Sequence, residues 1–128
     1  MSAFADPENS MSTSPFFVRR DGHTHTRFCP HGSKESTELF IRRAIELKFE
    51  VYSLTEHMPL PARFVDPTPD KSCGMSWAEL EPYLDHAYQL KRQYADWIEV
   101  RVGLEVDYIP GFESEIRAML NRYGSQLE

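Results

Sequence analysis

The sequence predicts an α/β fold, a parallel sheet with helices packed outside it. Three observations carry this. Strand-like apolar segments alternate with segments of helical period, in the order strand, helix, strand, helix, strand, helix. The three strands end on similar chemistry, at His23/His25, Glu56/His57 and Glu105/Asp107. The 128 residues suffice for one domain, and a composition 41% hydrophobic and 27% charged is that of a globular protein.

Residues 1–15 contain Ser, Pro and Asp without periodicity and read as a disordered leader, with the domain over 16–128. Phe16, Phe17 and Val18 lead through Arg19 and Arg20 into Asp21 as a short first strand with the histidines at its downstream end. Ser36 opens a helix of about a dozen residues, with Leu39, Phe40, Arg43, Ala44 and Leu47 along one face. Residues 49–55 read as the second strand, which runs into Glu56 and His57. A long irregular segment over 58–75 follows, punctuated by Pro59, Pro61, Pro67 and Pro69. Segments of that kind are often functional loops. Ser76-Trp77-Ala78-Glu79 has capping-box spacing. The helix it announces carries Leu80, Tyr83, Leu84, Ala87, Leu90 and Tyr94, with Pro82 as an alternative first turn. Residues 98–106 read as the third strand. Pro110 and Gly111 start the last helix, with Phe112, Ile116, Met119, Leu120 and Tyr123 inward and Gly124 at its end.

The formal net charge of -6 argues against a non-specific nucleic-acid surface, which needs clustered Lys and Arg. An acidic chain still accepts an anion when metal ions supply the positive charge. No apolar run approaches the ~20 residues of a membrane span, so no membrane partner is expected. The start lacks the basic end and apolar core of a secretory signal, and the two cysteines, Cys29 and Cys73, lie too far apart to suggest a disulfide framework. A reducing, cytoplasmic setting fits both. There is no Gly-rich phosphate loop and no nucleophile elbow.

Chemistry concentrates at the strand ends. Strand alternation puts His23 and His25 on one face and Thr24 on the other. Their alpha carbons are then about 6.5 Å apart, and both imidazoles can converge on one ion at about 2.0–2.1 Å. Asp21, on the same face, is placed to accept the other ring N–H of a metal-bound histidine. His31 follows on the loop, and His57 ends the second strand. Glu56 points to the opposite face from His57 and is expected to support or pair with a ligand. Glu105 is a carboxylate in an apolar strand, costly unless paired or metal-bound. It reads as a metal ligand bridging two ions, with an ion pair to Arg101 as the alternative. Asp107 shares its face at the rim. Cys29 is either a soft ligand or a small loop residue before Pro30. His86 lies off its helix's apolar stripe and reads as solvated.

Taken together, Asp21-Gly22-His23-Thr24-His25-Thr26, Phe28-Cys29-Pro30-His31-Gly32, Thr55-Glu56-His57, Asp66-Pro67-Thr68-Pro69 and Gly103-Leu104-Glu105-Val106-Asp107-Tyr108 resemble the polymerase and histidinol phosphatase (PHP) family. The likeness runs in order over about residues 17–128 and is nearest to the histidinol-phosphatases of histidine biosynthesis. It implies the N-terminal portion of a distorted (β/α)7 TIM-like barrel, with the C-terminal half absent. It also implies a cluster of up to three divalent ions, zinc, manganese or iron. By the resemblance, His23 and His25 hold one ion, Glu105 bridges it to a second, and His31 and His57 hold the third. Glu105 and His57 are then catalytic, with Asp21, Glu56 and Asp107 supporting the ligands. Further ligands, and the arginines for the substrate phosphate, are expected beyond residue 128, so no substrate-binding residue is assigned. The implied reaction is metal-dependent hydrolysis of a phosphate monoester, histidinol phosphate, to histidinol and phosphate. The loop over 66–69 is expected to shape the pocket mouth. Two other readings stay open: a PHP phosphoesterase or nuclease acting on another phosphorylated substrate, and an inactive metal-binding module.

Overall fold

A computed structural model describes residues 17–128. Its elements are β1 (Arg20–Thr24), α1 (Thr37–Glu46), β2 (Val51–His57), α2 (Trp77–Gln93), β3 (Glu99–Glu105) and α3 (Glu113–Tyr123). A 3-10 turn over Gly124–Gln126 follows α3. The strands form one parallel sheet in the order β1-β2-β3. The expected leader over 1–15, and Phe16 of the expected first strand, lie outside the described residues.

Side-chain alternation sorts the sheet into two unlike faces. In β2, Tyr52, Leu54 and Glu56 are buried while Ser53, Thr55 and His57 are only partly covered. In β3, Val100 and Val102 are buried and Glu99 and Arg101 exposed. Tyr52, Leu54, Val100 and Val102 join Ile41 of α1, Leu80 and Leu84 of α2 and Met119 of α3 in one apolar core. The opposite face is polar. The register pairs Thr55 with Gly103 and His57 with Glu105, so that face ends in a histidine beside a carboxylate.

Strand and helix limits differ from the sequence reading in instructive ways. Phe17 and Val18 are exposed and outside β1. The sheet starts where the N–H groups of Glu50 and Val51 both reach the Arg19 carbonyl, so β1 begins at Arg20 and ends at Thr24, inside the histidine motif. In α1 the inward residues are Thr37, Ile41 and Ala44, whereas Leu39, Phe40 and Leu47 are exposed. Leu39, Phe40, Ile41, Ala44 and Ile45 spread over a broad arc of this helix, so period alone does not choose which part of the arc turns inward. The capping box fixes the start of α2, where the Glu79 carboxylate accepts the Ser76 N–H at 2.9 Å and its hydroxyl at 3.0 Å. Pro82 consequently lies inside the helix. Before α3 the chain makes a type II turn, with Pro110 first and Gly111 at φ +88, and Phe112 N–H donates to the Ile109 carbonyl at 3.0 Å. Gly124 keeps right-handed backbone and leads into the 3-10 turn. Glu128 then lies along β3. Its N–H donates to the Val102 carbonyl at 2.9 Å, and its carboxylate accepts the Val102 N–H at 2.8 Å. No helix among the described residues is long and apolar enough to cross a membrane.

The end of α1 offers a simple stability test. Lys48 N–H donates to the Ile45 carbonyl at 3.0 Å and Phe49 N–H to Ala44 at 2.9 Å, with Lys48 at φ 64. This is a Schellman cap whose left-handed position carries a side chain where glycine is favoured. Lys48→Gly is expected to raise stability by about 0.5–1 kcal/mol, read as a higher urea midpoint.

Candidate metal centre

The histidine motif reaches the polar face through an irregularity in β1. Asp21 lies level with Tyr52, and Thr24 with Leu54, so three steps of β1 oppose two of β2. A bulge of this kind reverses which side chains share a face. Asp21 falls on Tyr52's side, and His23 and His25 project on the other. Asp21 therefore does not support an imidazole. Its Oδ1 accepts the backbone N–H of His23 at 3.2 Å and holds the bulge. Thr24 locks the strand end to β2, donating its hydroxyl to the Ser53 carbonyl at 2.6 Å and its N–H to Thr55 Oγ1 at 3.1 Å.

One carboxylate oxygen organises the cluster. Glu105 Oε2 lies 3.1 Å from His23 Nε2, 3.2 Å from His25 Nε2 and 3.2 Å from His57 Nδ1. His23 Nε2 and His25 Nε2 are themselves 3.1 Å apart. Arg101, the alternative partner, pairs with Glu99 at 2.8 Å instead. The Glu105 side chain is 35% exposed, so the cost of burial that flagged it belongs to Glu56, whose exposure is 0%.

Glu56 starts on the apolar side of the sheet and reaches round the strand end. Its Oε1 lies 3.0 Å from His25 Nδ1 and accepts the His57 N–H at 3.0 Å. Its Oε2 accepts the Thr26 N–H at 2.9 Å and hydroxyl at 2.7 Å. Burial pushes the Glu56 carboxyl up, but hydrogen bonds from Thr26, His25 and His57 outweigh it and hold the group below its ordinary value. A charged carboxylate only accepts, so His25 Nδ1 donates to it, and in the neutral ring the lone pair is left on Nε2. That lone pair faces Glu105 Oε2. Burial pushes His57 down, against the opposing charge of Glu105, and favours the neutral, ligating ring. Converging lone pairs repel unless a proton or a metal cation lies between them. Ligand atoms around a four-coordinate ion with bonds of ~2.0–2.1 Å stand about 3.3 Å apart, close to the separations here. The donors fit a divalent metal in two groups, His23 with His25 and Glu105, and His25 with Cys29 and His57.

The remaining expected residues are less tightly gathered. His31 is exposed on the loop, its ring 5.0 Å from that of His57 between centroids. Asp107 lies beyond the end of β3, so alternation no longer places it. It lines a groove of about 270 Å³ with Tyr108, Glu113 and Arg117, apart from the histidines. His86 is half-buried with its ring 6.1 Å from that of Phe28. The sequence reading missed Thr26, although its hydroxyl directly follows the motif. It also took Tyr83 as plain core. The Tyr83 hydroxyl donates to the Gly103 carbonyl at 2.7 Å and accepts the Glu56 N–H at 3.5 Å, tying β2 to β3 below the site.

The proline-rich loop packs beside this centre and is ordered by Asp66. Asp66 Oδ1 accepts the Thr68 N–H at 2.8 Å and hydroxyl at 2.6 Å, and Oδ2 accepts the Cys73 N–H at 2.9 Å. The Thr68 hydroxyl and these N–H groups pull the Asp66 carboxyl down to about 2. The loop returns past Met58, whose N–H donates to the Glu105 carbonyl at 3.1 Å. A Cβ on Gly74 would stand 2.2 Å from the Met58 carbonyl oxygen. Gly74→Ala is thus expected to displace the loop and cost about 1–3 kcal/mol, measured by urea unfolding.

Parallel strands that end in histidines and a carboxylate, grouped where they could hold a metal ion, define an α/β protein with a candidate metal centre. The chain matches the PHP domain over residues 21–127 and belongs to that family. It is 46% identical over 110 residues to the histidinol-phosphatase of Bacillus subtilis, covering 86% of this chain and 41% of that protein. The histidinol-phosphatase of Saccharomyces cerevisiae is 28% identical over 99 residues, covering 66% of this chain and 29% of that one. A solved structure from Listeria monocytogenes, described as a histidinol phosphatase, superposes with TM-score 0.81 at 40% identity. The match covers 86% of this chain and 42% of that one. The chain thus spans less than half the length of the relatives it matches. The α/β fold is that part of the TIM-like PHP fold.

Proposed function

We propose that this chain supplies the metal-binding strand ends of a phosphatase that releases phosphate from histidinol phosphate in histidine biosynthesis. The observation that carries this reading is Glu105 Oε2 standing 3.1–3.2 Å from three imidazole nitrogens. Under it His23, His25 and Glu105 hold one divalent ion, while His57 and His31 reach toward another. Bound metal supplies positive charge for the phosphate oxygens and lowers the pKa of a bound water toward neutrality. Zinc, manganese and iron all suit the imidazole and carboxylate donors. Glu56 keeps the His25 proton on Nδ1 and the ligating lone pair on Nε2. Asp66 shapes the loop beside the mouth without touching the metal ligands. The names of the relatives support the substrate.

The test is phosphate release by the native polypeptide, captured from its source cells with an antibody to this chain. Metal-dependent release from histidinol phosphate, well above that from nucleoside monophosphates and short DNA, is expected. Faster turnover of DNA or nucleotides would transfer the site to the phosphoesterase reading. Metal binding with no hydrolysis of any substrate would leave a binding module.

A further inference from the structure

Cys29 occupies an unusual place. It is 1% exposed, yet it stands outside the apolar core cluster that gathers nearly every other buried apolar side chain among the described residues. Its surroundings are imidazoles instead. A Cys29 Sγ, a His25 ring nitrogen and a His57 ring nitrogen all lie within 4.8 Å of one another. His31 Nδ1 is 3.8 Å from the same sulfur. The turn is built closely around this thiol. Cys29 N–H donates to the Thr26 carbonyl at 3.0 Å, and the Lys34 ammonium donates to the Cys29 carbonyl at 2.6 Å. A Cβ on Gly32 would stand 3.0 Å from Cys29 Cβ and 3.1 Å from Sγ, so a side chain there would press on the sulfur by a few tenths of an ångström.

We infer that Cys29 is a sulfur ligand to the ion that His57 and His31 reach toward, while the one free lone pair of His25 serves the ion at Glu105. The inference rests on the proposed metal site and goes beyond its nitrogen and oxygen donors. The thiol proton leaves to solvent as the metal–sulfur bond forms, and no electron changes hands. A thiolate among imidazoles is a soft donor set. It favours zinc over manganese or magnesium, which prefer oxygen ligands. Cys29 would thereby make one position of the cluster zinc-selective, while the Glu105 side remains open to harder ions.

Cobalt(II) is the probe, because thiolate ligation gives it a near-ultraviolet sulfur-to-metal charge-transfer band. The 128-residue chain and its Cys73→Ser variant are both expected to show the band, and Cys29→Ser to lose it while still binding cobalt. Zinc affinity of Cys29→Ser should fall by at least the roughly 10–100-fold seen when a mere supporting partner is lost, with manganese affinity unchanged. Should Cys29→Ser fail to fold, zinc-edge X-ray absorption of Cys73→Ser decides, with a sulfur shell at about 2.3 Å expected. Cobalt bound without the band, or zinc bound without the sulfur shell, overturns the sulfur ligand and leaves the metal site standing. No metal bound at all overturns both.

Discussion

Glu105→Ala is expected to abolish tight metal binding while leaving the apo fold almost unchanged. Glu105 Oε2 is the atom on which His23, His25 and His57 converge, whereas Glu56, the other carboxylate here, pairs with the His25 ring alone. Its side chain is 35% exposed at the end of an edge strand, so truncation creates no buried cavity. The apo variant should stay within about 0.5 kcal/mol of the parent, as surface substitutions do. An ion present at a hundred times its Kd stabilises the parent by about 2.7 kcal/mol. That increment, seen as a rise in melting temperature on adding zinc, should vanish in the variant. Glu99→Ala, at the opposite end of β3 on the same face, removes only the Arg101 pair and serves as control. A zinc-dependent rise that survives Glu105→Ala would remove this residue from the ligand set.

Glu56→Gln should act in the opposite manner, unfolding the protein before it touches the metal directly. Both oxygens of this buried carboxylate face donors: Thr26 N–H and hydroxyl on one side, His57 N–H and His25 Nδ1 on the other. An amide must turn its NH2 toward one of these pairs, where it faces a backbone N–H and finds an acceptor only if the Thr26 hydroxyl or the His25 ring reverses its role. The expected cost is about 3 kcal/mol, read by denaturation of the metal-free chain. Zinc affinity should also drop, by roughly 10–100-fold, because His25 loses the partner that fixes its tautomer. The pH dependence follows from the same contacts. The folded carboxyl titrates below its ordinary value, so its stabilisation is present above the unfolded pKa and is lost as pH falls through the folded one. The parent should weaken below about pH 4, and Glu56→Gln should lose that part of the acid sensitivity. Equal acid sensitivity in the two chains would show that Glu56 is not its source.

These two carboxylates show how far the strand pattern could be read from residues alone. Both were recognised because they end strands, and so were His23, His25 and His57. Their roles followed less directly. The cost of burying a carboxylate drew attention to Glu105, which stands on the open polar face, and it applies instead to Glu56. Asp21 was placed with the histidines by counting alternate residues, and the bulge defeats that count.

What the sequence determined by itself is local. The order of strands and helices, the capping box before α2, the turn at Pro110-Gly111 and the placing of His23, His25, His57 and Glu105 each near the end of its own strand all depend on residues a few positions apart. Tertiary structure decided the rest. The inward face of α1 came from packing against the sheet, since the helix is apolar on several sides. The separation of Asp21 from His23 came from pairing three steps of β1 against two of β2. The hydrogen bond from Thr26 to Glu56, and the grouping of Cys29 with His25 and His57, join side chains from different segments. Periodicity reports which face a residue takes within its own element. Register and through-space contact depend on the neighbouring element, and only the folded chain brings the two together.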